Sequence, residues 1–488
     1  MSAIKFGTDG WRAVIGDEFT FANVRACAQG VASYVVESGL AGRGLVVGYD
    51  TRFAAGEFAA AVAEVLAANG IGVYLCPRPA PTPVVSHSIL ERGAGGAVII
   101  TASHNPAKYL GFKFRPEYGG SAPPEVLAQV EARIDACREE VPRLPLAEAK
   151  ARGLVEVLDP RPVYLKHLAG LVDLASLRAA GLKVVVDSMH GAAAGYLPAL
   201  LRGGQTKVRE IRSASNPLFP GMDNPEPIER NLRPLSRAVL RHKADVGLAT
   251  DGDGDRLGII DERGRFIDQL QTFALLAYYL LEVRGTRGPL VKSVTTTSMI
   301  TRLGELYGVP VHETGVGFKY LGPKMMETDA LIAGEESGGY AFRGHLPERD
   351  GILSGLYFLD LMARRGSRPT ALLGELCAKV GPHYYDRLDI ALTEEERQRV
   401  LERVRRQRPA EIGGLRVTGV DTQDGFRYLL DGSGWALIRF SGTEPLLRIY
   451  TEVKDKASVS RVLQACRELA GLPGPTGRPT LGPRRQGV

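Results

Sequence analysis

Short runs of Val, Ile and Leu alternate with Ala- and Leu-rich stretches of helical spacing through the first three-quarters of the chain. Residues 45–48 read as a buried strand, 58–69 as an amphipathic helix and 71–75 as the next strand. Alternation of this kind predicts βαβ units and mixed or mostly parallel sheets. Three segments share one design, an apolar strand that ends in a polar loop of small residues and is followed by a second short β-like run. Residues 97–101 lead into Ala102-Ser103-His104-Asn105, 245–250 into Asp251-Gly252-Asp253-Gly254-Asp255, and 330–333 into Gly334-Glu335-Glu336-Ser337-Gly338-Gly339. The runs that follow are 111–114, 257–260 and 340–342. Open α/β sheets bind ligands at the carboxyl ends of their strands, so the three loops are expected to face a common cleft.

From about Pro382 the pattern changes. A helix spaced by Val400, Leu401 and Val404, β-like runs at 426–430, 435–439 and 447–450, and a helix near 462–469 predict a smaller α+β domain. The resulting expectation is an α/β protein of three related α/β domains with mixed sheets plus a smaller C-terminal α+β domain, arranged around a central cleft. Turn-forming stretches at 141–145, 159–160 and 366–369 divide it into domains at 1–148, 152–255, 256–373 and 378–472. Residues 473–488, rich in Gly, Pro and Arg, are expected to form a disordered tail.

Composition narrows the classes of partner. A chain of 488 residues exceeds one compact core, and 44% hydrophobic with 24% charged residues is ordinary for a globular protein. The net charge of +6 suits an anionic small molecule but is too dilute to argue for nucleic acid. The Arg-rich stretch 397–408 is interleaved with acids and carries no aromatics, so it reads as the solvated face of a helix. Five scattered cysteines without Cys-x-x-Cys spacing suggest a reducing compartment. The amino-terminal stretch lacks the layout of a signal peptide, and no apolar run is long enough to span a membrane. The expected setting is therefore cytoplasmic, with no nucleic-acid or membrane partner.

Chemistry concentrates in four loops. Ser103 and His104 follow a buried strand and precede Lys113, a placement that by itself also fits a plain turn. A hydrolase reading fails because no Gly-x-Ser-x-Gly elbow surrounds Ser103. Asp251, Asp253 and Asp255 alternate with glycines that let the backbone curl, so all three carboxylates can face one point and cage Mg²⁺ or another hard divalent cation. An EF-hand is excluded, since Arg256 stands where its sharp turn needs glycine and the flanks are strand-like. Glu335 and Ser337 offer acceptors and a donor for sugar hydroxyls, although such a loop alone reads as an ordinary turn. Arg439, Ser441, Gly442 and Thr443, followed by Arg448, have the ingredients of a phosphate cradle: a glycine turn, hydroxyls and guanidinium forks. Together these loops specify transfer of phosphoryl within a phosphosugar.

With these motifs in this order, residues 3–470 resemble the α-D-phosphohexomutase family of phosphoglucomutases, phosphomannomutases and phosphoglucosamine mutases. The resemblance implies that Ser103 is a phosphoserine and that Ser103, Asp251, Asp253 and Asp255 hold Mg²⁺. It places Arg12, Lys113 and Arg256 near the transferring phosphoryl, and Thr314, Glu335 and Ser337 against the sugar. It assigns Arg439, Ser441, Gly442, Thr443 and Arg448 to the phosphate that is not being transferred. Either His104 or Lys113 is the acid/base. The implied reaction interconverts hexose 1-phosphate and hexose 6-phosphate through glucose 1,6-bisphosphate or its analogue, in a monomer or homodimer.

Two departures bear on the sugar. Leu110 stands where bacterial relatives often carry Asn, and Gly339 where they often carry His. The Glu335-Glu336 pair looks more like the phosphoglucomutases, which favours glucose with mannose as a second substrate. A phosphoglucosamine mutase and a non-catalytic phosphosugar-binding protein are the alternatives.

Overall fold

A computed structural model describes residues 4–7, 9–136, 141–440 and 446–472. The expected tail at 473–488 and the cradle residues Ser441, Gly442 and Thr443 lie outside them.

The first unit contains β1 (Trp11–Val14), β2 (Leu45–Tyr49), β3 (Val73–Leu75), β4 (Gly96–Ile100), β5 (Tyr109–Pro116) and β6 (Val155–Val157), in the sheet order β1-β5-β4-β2-β3-β6. The second has β7 (Lys183–Asp187), β8 (Lys207–Ile211), β9 (Val246–Thr250), β10 (Leu257–Asp261) and β11 (Phe266–Ile267), in the order β11-β10-β9-β7-β8. In the third, β12 (Leu290–Ser293), β13 (Val311–Thr314), β14 (Ile332–Gly334) and β15 (Tyr340–Phe342) take the order β13-β12-β14-β15.

One pattern recurs in all three: β5-β4-β2-β3 corresponds to β10-β9-β7-β8 and to β15-β14-β12-β13. In each, three strands run parallel and the last turns back through a hairpin onto an antiparallel partner. The serine, aspartate and glutamate loops are the three equivalent hairpin loops. Strands β4 and β9 are buried along their whole length, as central strands covered on both faces must be, which is why they read as unbroken apolar runs.

The fourth unit is antiparallel throughout. It comprises β16 (Tyr384–Ala391), β17 (Glu411–Ile412), β18 (Leu415–Asp421), β19 (Phe426–Leu430), β20 (Gly434–Phe440) and β21 (Leu446–Val453), with helices at Glu394–Arg406 and Lys456–Leu469 on it. A capping box formed by Thr393 and Glu396 starts the first of these helices, and Val400 and Val404 are its buried stripe. Its Arg-rich face is solvated as expected.

Three expected boundaries move. β6 pairs with β3, so the first unit runs past residue 148. β10 and β11 hydrogen-bond back to β9, so the second unit extends to Ile267 and does not end at 255. The helix Pro369–Val380 buries Leu372, Leu376 and Val380 in the core shared by the second and third units, so the third extends beyond 373. At 255 the boundary fell inside a functional hairpin loop, whose composition is that of a linker; at 148 and 373 it fell at connections beyond which the chain still adds a strand or helix to the same unit. Among the described residues no helix is long and apolar enough to cross a membrane.

Candidate active site

The three hairpin loops converge beneath one wall of a cleft of about 1410 Å³, and the fourth unit contributes the opposite wall. Ser103 is buried, and its hydroxyl donates to Asp251 Oδ2 at 2.8 Å with His104 Nδ1 3.3 Å away. Its φ of +50° is left-handed, a conformation that costs a non-glycine residue about 1–3 kcal/mol. Asp251 Oδ1 accepts the backbone N–H groups of Asp255 and Arg256, so the glycine-rich loop wraps around its own first carboxylate. Thr82, at the start of a first-unit helix, donates its hydroxyl to Asp253 at 2.7 Å.

The aspartate loop fits a hard divalent cation. One oxygen from each of Asp251, Asp253 and Asp255 falls within 4.8 Å of the others, and all three side chains are buried. Asp253 Oδ1 and Asp255 Oδ1 lack hydrogen-bond partners, which is costly for buried charged oxygens unless a cation takes them. Burial, then Asp255 and Asp253, holds Asp251 well above the carboxylate range. Asp255 is pushed up to about 6 by burial and Asp253, against Arg349 and Lys113. Mutual repulsion of this kind is what a bound cation relieves.

Lys113 is also buried. Its ammonium lies 2.8 Å from Asp253, 2.7 Å from Asp9 and 3.9 Å from Asp255. Burial alone would lower it, but these carboxylates outweigh burial and raise it. His104 is the reverse case: burial, then Arg256, Arg12, Arg349 and Lys113, pushes the imidazole well below its ordinary value, so it is neutral. Of the two candidate bases only His104 therefore has an open lone pair, while Lys113 is a fixed positive charge. Arg12 donates to Asn105 at 2.6 Å and Arg256 to Glu226 at 2.9 Å, both at the cleft surface.

In the sugar loop, Glu335 Oε1 accepts from the Ser337 hydroxyl at 2.6 Å and from Arg349 at 2.9 Å. Its neighbour Glu336 turns the other way and accepts from Tyr385 and Arg387 of the fourth unit, both at 2.8 Å. Thr314 is buried with its hydroxyl donated to Gly315, and Val316 forms the cleft wall beside it. Leu110 is wholly buried in the first-unit core, so it does not face the sugar. Gly339 leaves room for another residue: a Cβ there would meet Arg349 Cδ at 2.1 Å, because the arginine stem crosses that position.

Opposite, Asp389, Arg448 and Arg439 are register partners across β16, β21 and β20, so they stand in one row on one face. Directly opposed like charges on neighbouring strands are unfavourable unless an anion joins them. Arg439 lies 2.9 Å from Asp424 and Arg448 3.8 Å from Asp389, and both arginines line the cleft.

Several site residues escaped the sequence reading. Asp9 accepts Lys113, Arg115 and Arg349. Arg349 bridges Asp9, Asp255, Glu335 and Glu348. Arg52 donates to the carbonyls of Ser103, Asn105 and Pro106 in the serine loop and of Tyr109 at the start of β5. Each is a charge in a turn that belongs to no repeating pattern. The available signal was a charged residue within a glycine-flanked turn: Gly7 and Gly10 around Asp9, and Arg349-Asp350-Gly351 at a helix start.

A buried serine, a carboxylate cage, a glutamate in the cleft wall and an arginine row around one cleft fit an enzyme of the intramolecular phosphotransferase class. The match to known families agrees. The phosphoglucomutase/phosphomannomutase alpha/beta/alpha domains I, II and III cover residues 3–140, 162–264 and 268–380, and the C-terminal domain covers 392–469. A phosphoglucomutase/phosphomannomutase of Thermococcus kodakarensis is 31% identical over 94% of this chain and 96% of its own. A phosphoglucosamine mutase of Desulforamulus reducens is 30% identical over 96% and 99%. A Thermus thermophilus crystal structure described as a putative phosphomannomutase superposes with a TM-score of 0.84 at 37% identity, covering 96% of this chain and 99% of that one. The chain belongs to the phosphoglucomutase/phosphomannomutase family.

Proposed function

We propose that the protein interconverts hexose 1-phosphate and hexose 6-phosphate, with glucose preferred and mannose accepted, through phosphorylated Ser103 and a hexose 1,6-bisphosphate. The observation that carries this reading is the Ser103 hydroxyl set 2.8 Å from Asp251, beneath a cleft whose far wall carries Arg439 and Arg448. Phosphoryl transfer needs little covalent help; it needs in-line placement and neutralised charge.

The phosphoryl leaves Ser103 Oγ as its P–O bond breaks and a P–O bond forms to the free sugar hydroxyl. His104, neutral and adjacent, takes the proton of that hydroxyl and passes it to the departing Ser103 Oγ. Lys113, Arg12 and Arg256 offset charge on the transferring group, while Arg439 and Arg448 grip the other phosphate. Glu335 and Ser337 hold sugar hydroxyls in either orientation. The bisphosphate then turns end for end and returns its second phosphoryl to Ser103, whose hydroxyl proton passes through His104 to the departing sugar oxygen. The residues that would hold Mg²⁺ are Asp251, Asp253 and Asp255 with the Ser103 phosphate, and the ion supplies electrostatic stabilisation of phosphoryl oxygens there. The fourth unit keeps water from the phosphoserine, which would otherwise be hydrolysed.

Glucosamine phosphate is the second reading, favoured by the phosphoglucosamine mutases among relatives of like identity. Glu336 gives glucose less support than its family pattern suggested, because its carboxylate is committed to Arg387 and Tyr385. Incubation with glucose 1-phosphate, Mg²⁺ and a trace of glucose 1,6-bisphosphate is expected to yield glucose 6-phosphate, and Ser103→Ala to remove nearly all of it. Full activity in that variant refutes the phosphoserine assignment. Parallel rates on glucose, mannose and glucosamine phosphates decide the sugar, a large preference for glucosamine overturning the choice of glucose.

A further inference from the structure

Ser103 alone among the residues of its loop, 101–108, has a positive φ, and it is not a glycine. A serine stays in that region only where its surroundings leave no alternative. Here hydrogen bonds hold it from both sides. The Ser103 N–H donates to Thr101 Oγ1 at 2.8 Å, and the Thr101 hydroxyl donates to Asp50 Oδ2 at 2.6 Å. On the other side, Arg52 Nη2 donates to the Ser103 carbonyl at 2.7 Å and to that of Asn105 at 2.6 Å. Arg52 Nη1 donates to the Pro106 and Tyr109 carbonyls, both at 3.0 Å. Asp50 closes the circuit, accepting the Arg52 backbone N–H at 2.9 Å and lying 3.3 Å from its Nε.

Asp50, Arg52 and Thr101 are all buried, and none of them lines the cleft. They cannot be ligands of the sugar. The grip is also specific to arginine: a planar fork with five N–H donors spans four carbonyls, whereas an ammonium has three donors at one point. The same turn seats the aspartate-loop unit, since the Phe219 ring covers the Arg52 guanidinium at 5.0 Å and Thr51 donates to the His190 carbonyl at 2.9 Å. Gly252 of the aspartate loop lies so near that a Cβ on it would meet the Ser103 carbonyl oxygen at 2.5 Å. That oxygen is therefore fixed between Arg52 and the loop it must face.

We propose that Arg52, set by Asp50, is a positioning residue for the nucleophile: it holds Ser103 in the left-handed conformation that aims Oγ at the aspartate cage. The proposal rests on the reading of Ser103 as the phosphoryl carrier. Its effect is on the rate of transfer and not on sugar affinity, because a displacement of about 1 Å in a reacting atom costs on the order of a hundredfold in rate.

The test compares Arg52→Lys, Thr101→Val and Ser103→Ala with the wild type, using glucose 1-phosphate, Mg²⁺ and glucose 1,6-bisphosphate, with a thermal melt of each variant. Intact-mass spectrometry follows the rate at which glucose 1,6-bisphosphate phosphorylates Ser103. A folded Arg52→Lys is expected to lose roughly a hundredfold in kcat and in phosphorylation rate with KM within about threefold, and Thr101→Val roughly tenfold in both rates. A folded Arg52→Lys with kcat within about threefold of wild type overturns the proposal, as does a KM rise that accounts for the whole loss. If Arg52→Lys does not fold, Thr101→Val decides, and wild-type kcat in it overturns the proposal. An active Ser103→Ala refutes the phosphoserine reading and the proposal together; an inactive one beside an unimpaired Arg52→Lys refutes only the positioning role.

Discussion

Between the hairpin loops of the first three units, backbone meets backbone. The Thr82 N–H donates to the Asp253 carbonyl at 2.8 Å, Leu257 to Gly338 at 3.0 Å and Gly351 to Gly254 at 3.1 Å, and the second and third units share one apolar core. The fourth unit meets the third largely through side chains. Glu336 takes Arg387 and Tyr385, Asp424 takes the Val316 N–H, Glu313 pairs with Arg427, and a small cluster of Val294, Trp435, Leu437 and Tyr450 fills the middle. The joint that carries serine, aspartates and glutamate leaves no slack, while the seat of the arginine row can adjust. On the proposed mechanism a nucleophile and its cation must stay in register to a fraction of an ångström, whereas long arginines can follow a remote phosphate.

The sharpest way to break the contrast is a methyl group in the rigid joint. Gly252→Ala drives a Cβ against the Ser103 carbonyl, so kcat is expected to fall by about a hundredfold or more, with the protein still folded by circular dichroism. Gly339→Ala is expected to displace Arg349 and lose roughly ten- to a hundredfold, and an added Arg349→Ala to cost much less than it does alone, because the clash is then gone. A fully additive double mutant would show that the two residues do not share that space.

In the adjustable joint the effects are smaller and fall on binding. Glu336→Gln frees Arg387 and Tyr385, and KM for the hexose phosphate is expected to rise by roughly three- to tenfold with kcat nearly unchanged. A change in glucose-over-glucosamine preference at constant KM for glucose would instead make Glu336 a sugar-reading residue.

Acid separates the joints last and least. Burial would raise Glu313, but Lys292 and Arg427 outweigh it and bring it down to about 2. A depressed acid stabilises the fold above its unfolded value of 4.5, and that stability drains as pH falls toward 2. The first three units meet at His87, His167 and His345, where His167 and His345 nitrogens lie 2.9 Å apart and burial, then the two neighbouring imidazoles, brings His87 down to about 4. A depressed histidine stabilises the fold above 6.5 and loses that contribution as pH falls toward 4. Urea unfolding followed from pH 7 to 3 is expected to show falling stability, flatter between pH 6.5 and 4 in His87→Phe, with Glu313→Gln altering the profile only below about pH 4.5.

Much of the site was legible in the sequence because its loops are local. Asp251, Asp253 and Asp255 alternate with glycine within five residues, so their convergence follows from backbone freedom alone. The serine and sugar loops were visible as polar ends of apolar strands, and the hairpin that follows each was visible as a second short run. The partners of Glu336 were not legible, since adjacent residues in a turn point apart and only the fourth unit supplies Arg387 and Tyr385. Leu110 was read as a place near the sugar because its position in a motif says nothing about which face of β5 it occupies; the pleat sends it into the core.

Alone, the chain determined three repeats of one α/β design, a different fourth unit, a phosphoryl-carrying serine candidate and a carboxylate cage. Periodicity and turn chemistry are properties of neighbours in sequence. Tertiary structure alone decided that Arg52 grips the serine loop, that Arg349 runs through the space left by Gly339, and that Asp9, in the cleft lining, pairs with the buried Lys113. The charges involved come from turns as much as 340 residues apart, as in the bond from Arg349 to Asp9, and carry no periodic signal. A buried charge is stable only among partners that folding brings to it, so its role exists only once the units are assembled.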